Sequence, residues 1–122
     1  MMPSGSASKT ERIANAIAYA EGYFVSGSRP ERNNNPGDLT KAFGQDYTGY
    51  DGIFIVFATP TDGWQALFQQ VNMMLDNTSS IYNDEMTIYE VAQRYTTTQQ
   101  QEWANNVASY LGVSTNTPLR EV

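Results

Sequence analysis

The spacing of apolar residues predicts a first helix from about Lys9 to Tyr23. Ile13, Ile17, Ala20 and Phe24 follow one another at steps of four, three and four residues, so they share one face of that helix. Gly22 and then Gly27 are expected to end this helix.

Capping residues and further apolar stripes predict three more helices. Thr59 is a suitable N-cap and Pro60 fits a first turn, whereas Thr87 and Glu90 have the spacing of a capping box. Ser8 and Glu11 have the same spacing ahead of the first helix. The later helices are expected from Thr59 to about Asp76, from Thr87 to about Tyr95, and along Trp103, Val107, Tyr110 and Leu111 to Gly112.

A long polar connection, residues 25–52, separates the first two of these helices. Connections of this length in a compact domain are usually functional or disordered. Within it, Asn33 to Asp38 and Gly49 to Gly52 have the composition of tight turns. The β-branched and aromatic run from Ile53 to Ala58 predicts a short strand or a buried extended segment. The expected fold is therefore mostly α (α+β), with a small irregular or β-containing insert after the first helix.

The length of 122 residues suits one domain, which we place at residues 9–122 after a flexible polar leader at residues 1–8. No apolar run reaches the ~18 residues of a membrane span. The polar start also lacks the apolar centre of a signal peptide.

Composition narrows the chemistry, because the chain has no cysteine and no histidine. Disulfides are impossible, and zinc sites and Ser–His or Cys–His nucleophiles are disfavoured, so we expect no metal and no cofactor. The net charge of −6 argues against nucleic acid as a partner, since phosphate contacts dominate that affinity. Carboxylates, hydroxyls and amides remain to carry any reaction.

Glu21 is the main candidate among the carboxylates. At about 100° per residue it lies near Ile17, on the edge of the apolar stripe and at the end of the first helix. Desolvation and the negative end of the helix dipole both raise the pKa of a carboxyl group there, as a general acid near neutral pH requires. The alternative is a solvated glutamate in a last helical turn.

The order of several short motifs resembles the lysozyme-like peptidoglycan lytic transglycosylases and muramidases, especially the small forms of bacteriophage virions and bacterial genomes. The family's Asn-Asn-Pro-Gly-Asn/Asp-Leu/Ile turn is matched by Asn34 to Leu39. A Gly-Gln motif and an Asp-Gly-Phe-aliphatic-Phe segment are similar to Gly44-Gln45 and Asp51 to Phe57. Further matches are the Gly-x-x-Ala-Leu helix at Gly63 to Leu67, the Arg-Trp/Tyr motif at Arg94-Tyr95, and the ending Val107 to Val113.

The resemblance implies cleavage of the β-1,4 bond between N-acetylmuramic acid and N-acetylglucosamine, with Glu21 as general acid. In a transglycosylase Glu21 would also act as base, whereas a hydrolase would need a second carboxylate, for which Asp38 and Asp51 are the candidates. The expected sugar-binding residues are Asn35, Gly37, Gln45, Phe54, Phe57 and Tyr95. Core packing is an equal alternative for Phe54 and Phe57, and it is the favoured interpretation for Trp64 and Trp103.

The implied partner is the peptidoglycan glycan strand, with the protein acting as a monomer in the bacterial envelope, outside the cell or in a phage virion. A non-catalytic wall-binding or virion structural module of the same fold is an alternative function. An interaction domain unrelated to sugars is a third, favoured mainly by the acidic charge.

Overall fold

The computed structural model describes residues 8–122, which form five α-helices and one two-stranded antiparallel sheet. A mixed α and β architecture is thereby confirmed. The elements are α1 (Lys9–Glu21), α2 (Arg29–Arg32), β1 (Tyr47–Asp51), β2 (Phe54–Phe57), α3 (Pro60–Leu75), α4 (Ile88–Tyr95), α5 (Gln100–Leu111) and a 3₁₀ turn (Leu119–Glu121).

Local capping fixes both ends of α1. The Ser8 hydroxyl accepts a hydrogen bond from the Glu11 amide, and the Glu11 side chain accepts one from the Ser8 amide. Ser8 therefore belongs to the helix start and not to the predicted leader, whose other residues, 1–7, lie outside the described range. Gly22 ends the helix with φ of 83°, a left-handed conformation that glycine adopts at little cost.

Because α1 ends at Glu21, Phe24 lies outside the helix and is not part of the buried stripe on which its spacing had placed it. Its side chain is 57% exposed, because the chain turns away from the core at Gly22. Phe24 instead joins Tyr23 and Trp64 in a small aromatic group at the surface.

The helices enclose one core. α1 packs against α5 and α3, and α4 packs against α5. Thr59 and Thr87 cap α3 and α4 as predicted. The core consists largely of aliphatic side chains, such as Ile13, Ile17, Leu67, Val71, Met74 and Val107. Within residues 8–122 no helix combines the length and the apolar character needed to cross a membrane.

The connection after α1 is more regular than its sequence suggests. α2 begins after Ser28, whose hydroxyl accepts from the Glu31 amide. β1 and β2 form a hairpin in which Tyr50 faces Ile55 and Asp51 faces Phe54. The predicted turn at Gly49 to Gly52 is therefore wrong for its first three residues, which lie in β1.

Asn35 holds the segment from Asn33 to Leu39 against the hairpin. Its amide nitrogen donates to the carbonyls of Leu39 at 3.0 Å and Ile55 at 2.9 Å, and its oxygen accepts from the Leu39 amide at 2.8 Å. The side chain is completely buried, and its three hydrogen bonds are all to backbone groups. This network sets the position of Asp38 and Leu39 beside the end of α1.

Candidate active site

Glu21 lies at the point where two depressions of the surface meet. The larger, which we call the main cleft, has a volume of about 460 Å³ and is lined by residues from α1, the connection, β2 and α4, among them Glu21, Asp38, Phe54 and Tyr95. The smaller, which we call the side recess, has a volume of about 210 Å³ and is lined by Glu21, Thr96 and Trp103 among others. Glu21, Thr96 and Thr98 border both, so a chain-like ligand that occupies both would pass over Glu21.

Trp103 fixes the orientation of the Glu21 carboxylate. The indole Nε1–H of Trp103 donates a hydrogen bond of 2.8 Å to Glu21 Oε2. Tyr95 stacks on the Trp103 ring with centroids 4.9 Å apart, and its hydroxyl donates to the Gly37 carbonyl at 2.7 Å. The acid is thus held by α5, and α5 is linked through α4 to the turn on the other side of the main cleft.

The surroundings raise the pKa of Glu21 to about 7. Burial is the largest cause, because it disfavours the charged carboxylate. The Trp103 hydrogen bond acts in the opposite direction, the negative charge of Asp38 raises the pKa further, and the positive charge of Arg29 lowers it. A large fraction of Glu21 is therefore protonated at neutral pH, which is the state a general acid needs.

Asp38 is engaged in an ion pair and does not face the main cleft as a free carboxylate. Arg29 Nη2 bonds Asp38 Oδ2, and Arg29 Nε donates to Asp38 Oδ1 at 3.3 Å. The guanidinium carbon of Arg29 also lies 3.9 Å from the centroid of the Phe54 ring. The pair and the ring together form one wall of the main cleft.

Asp51 is near this site, because it faces Phe54 across the hairpin and its charge acts on Arg29. It ends β1, is exposed, does not line the main cleft, and accepts a hydrogen bond of 3.2 Å from the Asn33 side chain. Of the two carboxylates considered as water activators, Asp38 is therefore neutralised by Arg29 and Asp51 does not line the main cleft.

The structure divides the expected sugar-binding residues into two groups. Phe54 and Tyr95 line the main cleft as expected. Four others do not line it, namely Asn35, Gly37, Gln45 and Phe57. Asn35 and Gly37 are hydrogen-bonded to the lining residues Leu39 and Tyr95, so these two support the cleft from behind, whereas Phe57 is a buried core residue.

Trp103 is the residue of the candidate site that the sequence analysis missed, since it was interpreted as core packing. The ring is indeed buried, with 6% of its surface exposed, but its N–H requires an acceptor there. The need of this buried N–H for an acceptor was the available signal, although it does not by itself point to Glu21.

Replacing Trp103 with Phe should raise the pKa of Glu21 above its value of about 7, because the hydrogen bond to the charged form is lost. Carboxyl-carbon NMR titration of Glu21 measures this directly. Trp64→Phe is the matched control, because Trp64 packs against Tyr23, Phe24 and Phe68 and makes no hydrogen bond to Glu21. An unchanged or lower Glu21 pKa in Trp103→Phe would contradict the assigned role.

The acidic side chains of residues 8–122 do not cluster as the ligands of a metal ion would. Within residues 8–122 no group of three or more carboxylates could hold a metal ion. The groups that the site offers are the Glu21 carboxyl, which can transfer a proton, and the hydroxyl, amide and aromatic side chains around it.

Comparison of the chain with protein-family models, with curated proteins and with solved structures found no match.

Proposed function

We propose that this protein is a peptidoglycan-cleaving glycosidase of lysozyme-like fold that acts as a lytic transglycosylase or muramidase. The observation that carries the proposal is a largely buried glutamate, Glu21, whose pKa is raised and which lies at the junction of the main cleft and the side recess. The motif order from Asn34 to Val113 and an α+β architecture with the hairpin after the first helix support it.

Glu21 acts first as the general acid. The protonated carboxyl donates its proton to the glycosidic oxygen between N-acetylmuramic acid and N-acetylglucosamine, so that bond breaks with a neutral leaving group. The substrate's own N-acetyl group can stabilise the positive charge that develops on the muramoyl ring. Trp103 favours the carboxylate that remains, because its N–H bonds the charged form.

Glu21 then acts as the base of the second step. The carboxylate removes the proton from the muramoyl 6-hydroxyl, and that oxygen attacks the anomeric carbon to close a 1,6-anhydro ring. A hydrolase of the inverting kind would instead need a second carboxylate about 6.5–9.5 Å away to activate water. The ion pair of Asp38 with Arg29, and the absence of Asp51 from the lining of the main cleft, favour the transglycosylase route.

The products test the reaction type. Muropeptides released from purified peptidoglycan should end in 1,6-anhydromuramic acid and should be lighter by one water than hydrolysis products in mass spectrometry. Products with only reducing ends would contradict the transglycosylase route and would make Asp38 the first candidate for water activation.

The same incubation separates the enzyme from its main alternative. Loss of turbidity with released muropeptides supports the glycosidase. Sedimentation of the protein with insoluble peptidoglycan, without any release, would favour a non-catalytic wall-binding or virion module. Neither binding nor release would favour an interaction domain unrelated to sugars.

A further inference from the structure

The cationic side chains of this acidic protein are almost all engaged with other groups of the chain. Lys9, Arg12 and Arg32 donate to backbone carbonyls of Arg120, Val122 and Gly27. Arg29 pairs with Asp38, and Arg120 approaches two glutamates at 3.8 Å. Within residues 8–122, Lys41 and Arg94 are left without a hydrogen bond or an ion pair.

Both of these side chains are exposed and both line the main cleft. Lys41 lies in the connection just after Leu39, and Arg94 lies in the last turn of α4 next to Tyr95. They come from different elements, so their convergence on one depression is a property of the fold. Glu90, the nearby acid on α4, accepts from the Thr87 amide and forms no ion pair with Arg94, although the two opposite charges attract each other.

The charge of the main cleft therefore differs from that of the whole chain. Its acidic lining residues are Glu21 and Asp38, and Arg29 offsets the charge of Asp38. Where Glu21 is protonated, the cleft retains the two positive charges of Lys41 and Arg94, although the chain carries a net charge of −6. The main cleft should therefore attract anions, although the net charge of the whole chain repels them.

We propose that Lys41 and Arg94 form a carboxylate-binding pair that selects anionic, muramoyl-containing glycan over neutral amino-sugar chains. This inference rests on the proposed function and specifies its substrate class. Ammonium and guanidinium groups both form charge-assisted hydrogen bonds with carboxylates. The carboxylate can come from the peptide stem or, where the stem has been removed, from the lactyl group of the muramoyl residue.

The test compares binding of matched glycan fragments to protein that carries Glu21→Gln, so that the probe is not consumed. The fragments come from peptidoglycan free of teichoic acid, which removes phosphodiesters as a source of charge. One portion is left intact, a second has its carboxyl groups converted to methylamides, and a third has its stems removed by an amidase, which leaves a free lactyl carboxylate.

The double variant Lys41→Gln/Arg94→Gln removes the pair. Lys9→Gln/Arg120→Gln is the matched control, because it removes two positive charges that do not line the main cleft. The parent should bind intact fragments about tenfold more tightly than methylamide fragments, as two exposed ion pairs allow. The cleft variant should lose this preference and the control should keep it.

Three outcomes would overturn the inference. Retention of the preference in the cleft variant, or equal loss in both variants, would overturn it, as would no binding of any fragment. Intact fragments hold the lactyl group as an amide, so their preference reports the carboxylates of the stem. Tight binding of the stem-free fragments that depends on the same pair would show that the lactyl carboxylate is also accepted, and weak binding would restrict the site to the stem.

Cleavage by the protein with native Glu21, measured in parallel, separates this inference from the proposed function. Cleavage of all fragments without any binding preference would overturn the inference and leave the glycosidase. A preference that depends on Lys41 and Arg94, without cleavage, would support the inference and contradict the glycosidase.

Discussion

Glu21→Gln should lower the rate of peptidoglycan cleavage by about 10²- to 10⁴-fold, because the amide cannot donate the proton that the leaving oxygen requires. The replacement keeps the size of the side chain, and its oxygen can still accept from Trp103 Nε1. The measurement is release of muropeptides at pH 5 and pH 7 by purified, folded protein.

The same replacement should stabilise the fold at alkaline pH. The pKa of Glu21 is raised from 4.5 to about 7, so the folded state favours the protonated form, and stability falls as pH rises from 4.5 through 7. Removing the ionisable group should recover up to about 3 kcal/mol of unfolding free energy at pH 8 and little at pH 4. Denaturant unfolding at the two pH values measures this difference.

Lower activity together with higher stability in Glu21→Gln would identify a catalytic group, because loss of a structural group lowers both. Asp51→Asn is the matched control, because it neutralises an exposed carboxylate that does not line the main cleft, and its activity should remain near that of the unmodified protein. A folded Glu21→Gln protein that still cleaves at the original rate would exclude Glu21 as the acid.

Helix positions were predictable because their signals are local. The capping residues Ser8, Thr59 and Thr87 each act on an amide three residues away, and the apolar stripes repeat within single helices. The end of α1 was predicted two residues late, because the apolar side chain of Phe24 continued the stripe beyond Gly22. A backbone turn at glycine outweighed the hydrophobic pattern there.

The insert was harder to predict because tertiary contacts define it. β1 is mostly exposed and has no alternating apolar pattern, so it is a strand only by virtue of its pairing with β2. α2 has four residues, too few for an apolar stripe. Asn35 looks like a surface amide in the sequence, yet it is buried because three backbone groups of the fold bond to it.

The residues of the candidate site also divide into one with a local signal in the sequence and others that only tertiary contacts bring together. Glu21 could be found from its place at the end of one helix, and the direction of its pKa shift followed from burial. Trp103 could not be assigned to it from sequence, because 82 positions separate the two residues and only the packing of α5 on α1 brings them together. Lys41 and Arg94 likewise share the main cleft only in the folded chain.

Gly63→Ala should destabilise the protein by at least about 3 kcal/mol, although helix propensity alone would favour Ala by about 1 kcal/mol. Gly63 lies in the first turns of α3, and a Cβ atom added there would stand 1.8 Å from the Asn34 carbonyl oxygen. That carbonyl belongs to the segment that Asn35 bonds to the hairpin, and the Asn34 side chain itself donates to Phe57, so the backbone has little freedom to retreat.

Denaturant unfolding of the Gly63→Ala and unmodified proteins shows whether the replacement lowers or raises the unfolding free energy. Gly49→Ala is the matched control, because a Cβ atom there meets nothing within 4 Å, and its effect should be small. If Gly63→Ala were as stable as the unmodified protein, the turn could move away from α3. Since Asp38 and Gly37 lie on that turn, such mobility would also contradict the fixed wall that the main cleft requires around Glu21.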